Sequence, residues 1–231
     1  MRRGTLITLL VGSAFLSLSF SLQASSLVIG EPPLTATGNC DPFGCPGFFG
    51  LGTYQQVYTA SAFPGAITIS GLTFYSDQVQ NGATPAGGTF DLSFSYTNKA
   101  LGDLDTTNPN NNITSGSQEF FDGTLPFLAQ NTLDFQGTPF AYNPADGNLL
   151  LTVTIIDPTD HIPTLFLDQS SMTNQTTNAY FGNSNGGNTG GLVTGFTEVS
   201  SVVTTPEPGS ILLVLGGVGL LLRRRKPHKL F

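Results

Sequence analysis

Between residues 25 and 205 short segments with apolar side chains at every second position recur, and no stretch sustains the spacing of a capped helix. Thr89-Phe90-Asp91-Leu92-Ser93-Phe94-Ser95-Tyr96 alternates polar and apolar through its whole length, as a strand with one wet face must. Ile67 to Ser70 does the same, Gly71 interrupts where a bulge would, and Leu72 and Phe74 resume the pattern. Leu149-Leu150-Leu151-Thr152-Val153-Thr154-Ile155-Ile156 is a β-branched run bounded by Gly147 and Pro158, expected as a central strand. Shorter strands are expected over Tyr54–Thr59, Thr132–Phe135, Leu165–Leu167 and Leu192–Val199. Asn81-Gly82, Asp122-Gly123, Asp146-Gly147 and Asn185-Gly186-Gly187 punctuate these segments, and Asn183 to Gly191 reads as flexible or turn-rich. The expectation is an all-β domain, an antiparallel β-sandwich of jelly-roll-like topology.

Composition decides whether such a domain can close. The chain has 28 Gly and 15 Pro and only 10% charged residues, which alone would suit disorder, but 39% hydrophobic residues with 18 Phe supply a core. The net charge of −7 hides a sharp asymmetry. Every arginine is terminal, and Lys99 is the only basic residue between positions 25 and 205, against 14 acidic ones. A surface so poor in cations cannot neutralise phosphates, so nucleic acid is excluded as a partner.

The two ends differ from the middle. Arg2 and Arg3, the apolar stretch Leu6 to Leu18 and the small residues near Ala24 form a secretory signal over residues 1–26. Cleavage after Ala24 and cleavage after Ser26 both fit, the first with Leu22 and the second with Ala24 three residues before the cut. An uncleaved anchor is the competing reading, disfavoured by the short apolar core. Residues 27–204 form the ectodomain and 205–231 a tail. In that tail Pro206-Glu207-Pro208 precedes the apolar run Ile211 to Leu222, which Arg223, Arg224, Arg225 and Lys226 close. Twelve helical residues reach about 18 Å, short of a hydrocarbon core of roughly 30 Å, so this transmembrane helix must thin the bilayer or recruit its flanks. The basic cluster holds its end in the cytoplasm, leaving the ectodomain outside the inner membrane.

This order of parts resembles the PEP-CTERM sorting domain of Gram-negative bacteria. The resemblance implies recognition of Pro206, Glu207, Pro208, the helix from Ile211 and the Arg223–Arg225 run by exosortase, a membrane-embedded transpeptidase-like enzyme. It also implies an exported protein of exopolysaccharide-producing, biofilm- or floc-forming cells, held briefly in the membrane and then displayed at the surface or released. Pro227 to Phe231 extend past the basic cluster, where many members of the family stop. Tyr54-Gln55-Gln56-Val57-Tyr58, Phe120 to Pro126 and Tyr142 to Leu151 further resemble an ectodomain recurrent in that family, a likeness that bears on architecture and carries no activity.

Residue types for chemistry are scarce. Cys40 and Cys45, the only cysteines, flank Asp41-Pro42-Phe43-Gly44 and are expected to form a small disulfide loop in an oxidising envelope. His161 is the ectodomain's only histidine and has no nucleophile elbow to serve, so no catalytic residue is assigned. Asp103-Leu104-Asp105-Thr106-Thr107-Asn108 places oxygens at alternate positions but lacks the glycine and distal glutamate of a calcium loop, and reads as a polar turn. No cofactor or metal is expected. The resulting expectation is a non-enzymatic envelope or matrix protein, with signal peptidase and exosortase as processing partners and extracellular polysaccharide as an associate. The alternatives are a carbohydrate-binding module, for which Tyr54, Tyr58, Tyr75, Tyr96, Tyr142 and Tyr180 are the available platforms in a chain without Trp, and a secreted glycoside hydrolase using paired acids.

Overall fold

The period-two segments form strands, and their apolar faces meet in one core. The computed structural model describes residues 24–30, 37–44, 52–76, 87–126, 131–158, 165–170, 175–182 and 185–199. All lie within Met1–Val199, the first of the two units into which the chain divides. The strands are β1 (Ala24–Ile29), β2 (Thr37–Asn39), β3 (Thr53–Tyr58), β4 (Ile67–Tyr75), β5 (Gly88–Thr97) and β6 (Ser115–Thr124). They continue with β7 (Thr132–Tyr142), β8 (Asn148–Pro158), β9 (Leu167–Gln169), β10 (Thr176–Phe181), β11 (Gly186–Gly190) and β12 (Thr194–Val199). Among the described residues the only helices are short 3-10 turns, and none is long and apolar enough to cross a membrane.

Two antiparallel sheets carry the architecture. One has the order β1-β12-β4-β7 and the other β11-β10-β3-β8-β5-β6, while β2 and β9 form a small third sheet. The pairing is nested: β5 pairs with β6, β4 with β7, β3 with β8, and β1 with β12. Their inner faces share one apolar cluster, so the arrangement is sandwich-like. Ring contacts join the sheets directly: Tyr58 to Phe196 at 5.0 Å, Phe94 to Phe140 at 5.3 Å and Tyr96 to Tyr142 at 5.6 Å between centroids.

The sequence pattern accounts for the placement of individual strands. In β5, Phe90, Leu92 and Phe94 are fully buried, whereas Asp91 and Ser93 turn outward and stay partly exposed. β8 is central, between β3 and β5, and both its faces are covered. Leu149, Leu151 and Val153 enter the main core, while Leu150 joins Val57, Leu104 and Phe181 in a second cluster on the opposite face. That double burial is why this segment lacks alternation. The bulge expected at Gly71 is present, as a register shift between Ile69 and Gly71 against β7.

Three segments differ from expectation. The strand expected over Thr132–Phe135 runs on to Tyr142 through Pro139, tolerated because β7 is an edge strand and its pairing slips there. The strand expected over Leu165–Leu167 is instead Leu167–Gln169. The turn-rich stretch Asn183–Gly191 contains β11, which lies at a sheet edge and needs few apolar side chains.

The Cys40 loop has a structural role that its length does not suggest. It drives Phe43, fully buried, between the sheets, with ring centroids 5.1 Å from Phe74 on β4, 5.3 Å from Phe135 on β7 and 6.0 Å from Phe90 on β5. Gly44 is required beside it, because a Cβ there would collide with the Leu165 carbonyl oxygen. Removing a ring packed on three others should cost about 3–5 kcal/mol. Phe43→Ala is therefore expected to unfold at clearly lower urea concentration than the parent. A loss under about 1 kcal/mol, the range of a surface change, would contradict the wedge.

Candidate functional site

Three places collect polar chemistry: the inner face of β3, the loop after β5, and a hollow beside the Cys40 turn. On β3 the period-two geometry sends Tyr54, Gln56 and Tyr58 inward and Gln55 and Val57 outward. Gln56 is fully buried and clasps the chain entering β12. Its Nε2 donates to the Leu192 carbonyl (2.8 Å) and to Thr194 Oγ1 (3.3 Å), while its Oε1 accepts from the Leu192 N–H (2.8 Å) and the Tyr54 hydroxyl (2.6 Å). The Tyr58 hydroxyl and Thr194 Oγ1 share a further bond of 2.9 Å. Burial pushes the hydroxyls of Tyr54 and Tyr58 well above the usual phenol range, so both stay protonated. Every amide atom of Gln56 is engaged within the protein, which makes this network a structural clasp between the sheets.

The outward Gln55 anchors the loop from residue 98 to 114. Its Oε1 accepts from Asn112 Nδ2 (2.8 Å), and its Nε2 donates to the Pro109 carbonyl (3.1 Å) and Thr152 Oγ1 (3.2 Å). Asn112 in turn donates to the Asp105 carbonyl (2.9 Å) and accepts from the Asp105 N–H (2.7 Å). Asp105, weighed above as a calcium ligand, uses its carboxylate internally. Oδ1 accepts from the Thr107 hydroxyl (2.6 Å) and N–H (2.8 Å) and from the Asn108 N–H (3.1 Å), and Oδ2 accepts from Asn111 Nδ2 (2.6 Å). These donors, the Thr107 hydroxyl foremost, hold its carboxyl far below the usual range. The geometry is that of an Asx-type polar turn. Among the described residues no group of three or more His, Cys, Asp or Glu is placed to hold a metal ion.

The hollow, with room for about one water molecule, is lined by Asp41, Thr53, Tyr54, Ile155, Tyr180 and Phe181 among others. Burial raises the Asp41 carboxyl from 3.8 to about 7. Among the described residues Asp41 is the only acid in the lining. A carboxyl poised near neutrality can hold or release a proton, but glycoside hydrolysis requires a second acid facing it.

The six tyrosines do not make a stacking platform. Tyr54, Tyr58 and Tyr142 are buried, and Tyr75, Tyr96 and Tyr180 are each only partly exposed. Tyr96 stacks on Tyr142, and its hydroxyl accepts from the Asn143 N–H (3.0 Å). Cys40 is disulfide-bonded. Its expected partner Cys45, together with His161, Pro206, Glu207, Pro208 and the cluster Arg223, Arg224, Arg225 and Lys226, lies outside the described residues. The roles of Gln55, Gln56 and Asn112 were not signalled in the sequence; amides in a strand, as in β3, or in an Asn-rich turn, as at Asn112, look like ordinary surface positions. No family model, curated protein or solved structure matches the chain.

Two outcomes are expected. A carboxyl whose folded pKa lies above its unfolded value stabilises in full below about pH 4, and that contribution is lost as pH rises through 7. Relative to Asp41→Asn, the parent should lose about 2 kcal/mol between pH 4.5 and pH 8, a figure reduced for the carboxyl's partial exposure. Parallel denaturation curves at the two pH values would refute the buried carboxyl. Asp105→Ala should lower the melting temperature equally with and without millimolar calcium, because the lost bonds are internal, while Asp103→Ala should melt like the parent. A calcium-dependent gain in the parent that vanishes in Asp105→Ala would make the loop a cation site.

Proposed function

We propose that this chain is an exported, non-enzymatic envelope or matrix protein, processed at a PEP-CTERM-type tail and associated with the polysaccharide around the producing cell. The observation that carries the reading is the pairing of the two terminal strands. Ala24 lies opposite Val199 and Ile29 opposite Thr194, so the chain enters the domain and leaves it at neighbouring points. The described strands between them share one apolar core, with the signal-like segment preceding them in sequence and the Pro206-Glu207-Pro208, apolar and Arg223–Lys226 sequence following. Such a domain needs neither end for its core, as expected of cargo whose ends serve as addresses.

The fold we propose is a jelly-roll sandwich. Support comes from the nested pairing: with β2, β9, β10 and β11 set aside, eight strands remain in the orders 1-12-4-7 and 3-8-5-6, first with last and innermost with innermost. The buried tyrosines and the single acid of the Asp41 hollow favour a structural role over glycan capture or glycoside hydrolysis. Signal peptidase and exosortase are the processing partners in this reading. The localisation is outside the cytoplasm, first anchored in the inner membrane and then at the cell surface or beyond it.

Proline removes backbone donors and keeps Pro206-Glu207-Pro208 extended for a protease cleft. Changing all three to Ala should leave full-length protein in the inner-membrane fraction of an exosortase-containing host, with mature protein reduced at least roughly tenfold, about 1.4 kcal/mol if expressed as an activation difference. Normal processing of that variant would refute the tail assignment.

A further inference from the structure

The same terminal pairing selects between the two signal cleavage positions that fit the sequence. We infer that the leader is removed between Ala24 and Ser25, so that the mature chain begins at Ser25. This inference rests on the export reading above and sharpens it.

Small residues three and one before the scissile bond favour the later cut, which places Ala24 and Ser26 there; the earlier cut places Leu22 and Ala24 there. The fold favours the earlier one. β1 is an edge strand held only by β12, through Ala24–Val199, Ser25–Glu198, Ser26–Thr197, Leu27–Phe196, Val28–Gly195 and Ile29–Thr194. A cut after Ala24 keeps five of these six pairs; a cut after Ser26 keeps three. The charge created by the cut points the same way. Hydrolysis adds water across the peptide bond, leaving a carboxylate on the leader and an α-ammonium on the mature chain. After Ala24 that ammonium sits on Ser25, directly across from Glu198 of β12. After Ser26 it sits on Leu27, directly across from Phe196, which carries no charge to meet it.

Among the described residues β1 alone pairs with that side of β12, so a mature chain that keeps more of β1 keeps more of this pairing. The earlier bond meets that requirement with an acceptable Ala immediately before it.

The test is intact mass and N-terminal peptide sequencing of the full-length chain exported from a Gram-negative host. A mature species beginning Ser25-Ser26-Leu27 is expected. A start at Leu27, or at any residue other than Ser25, overturns the inference while leaving export in place. An exported domain still carrying Met1 overturns the cleavable-signal reading itself. Two proline variants give an independent readout, since proline just after a scissile bond removes the N–H and makes that bond a tertiary amide. Ser25→Pro should accumulate precursor at least tenfold over the parent, and Leu27→Pro should be cut like the parent even where its domain is destabilised. The reverse pattern, with Leu27→Pro blocked and Ser25→Pro processed, assigns the cut to Ser26 and overturns the inference.

Discussion

A single ring wedged between two sheets fixes their separation. Phe43 comes from a turn, yet it touches Phe74 and Phe135 of one sheet and Phe90 of the other. Around it the core is mostly phenylalanine: Phe94, Phe120, Phe140 and Phe196 continue the contacts along the sheets in tilted and edge-on geometries. Such pairs add about 0.5–1.5 kcal/mol each beyond the area they bury. The Cys40 disulfide gains its importance here. A loop this short removes little unfolded-state entropy, but it holds the turn that carries the wedge.

Against that apolar core, β3 supplies orientation. Its inward Gln56 binds the approach to β12, and its outward Gln55 binds the loop over the second cluster. One strand thus joins three layers through two successive amides. A misplaced register would leave buried amide groups unpaired, at about 1–3 kcal/mol for each. Hydrophobic burial alone would tolerate a slide of β12 along the core; the Gln56 clasp does not.

Much of the fold was legible because half-buried strands carry their own signature. β4 with its bulge, β5 and β8 follow from Ile67, Ile69, Phe90, Leu92, Phe94 and the run from Leu149. β6 was missed because Ser115-Gly116-Ser117-Gln118-Glu119 lies on an exposed sheet edge and has no apolar face to alternate. β10 was missed for the opposite reason: Thr176, Thr177 and Asn178 are polar yet buried, their side chains bonded to backbone groups of Val57, Gly102 and Gly190. β1 was missed because it straddles the leader boundary expected at Ser26, which divides its six residues between two segments. In the candidate sites, single residues such as Asp105 could be weighed from spacing, whereas Gln56 and Asp41 depend on partners more than a hundred positions away or on burial that no local pattern encodes.

The nested order of strand pairs also has a consequence for how the chain reaches its folded form. Ile29 and Thr194 are 165 residues apart in sequence, and closing so large a loop directly would demand the entropy of the whole intervening chain. Nesting divides that demand. Once β5 and β6 meet, the ends of β4 and β7 are near one another, and β3 and β8 follow through short connections, so only the last pair has longer segments, 30–52 and 159–193, to close. The outermost pair forms last, and it needs β12, the final strand to be synthesised. A chain emerging in sequence from a membrane pore would therefore keep its first strand waiting, unpaired and beside the pore, until its last strand had passed through.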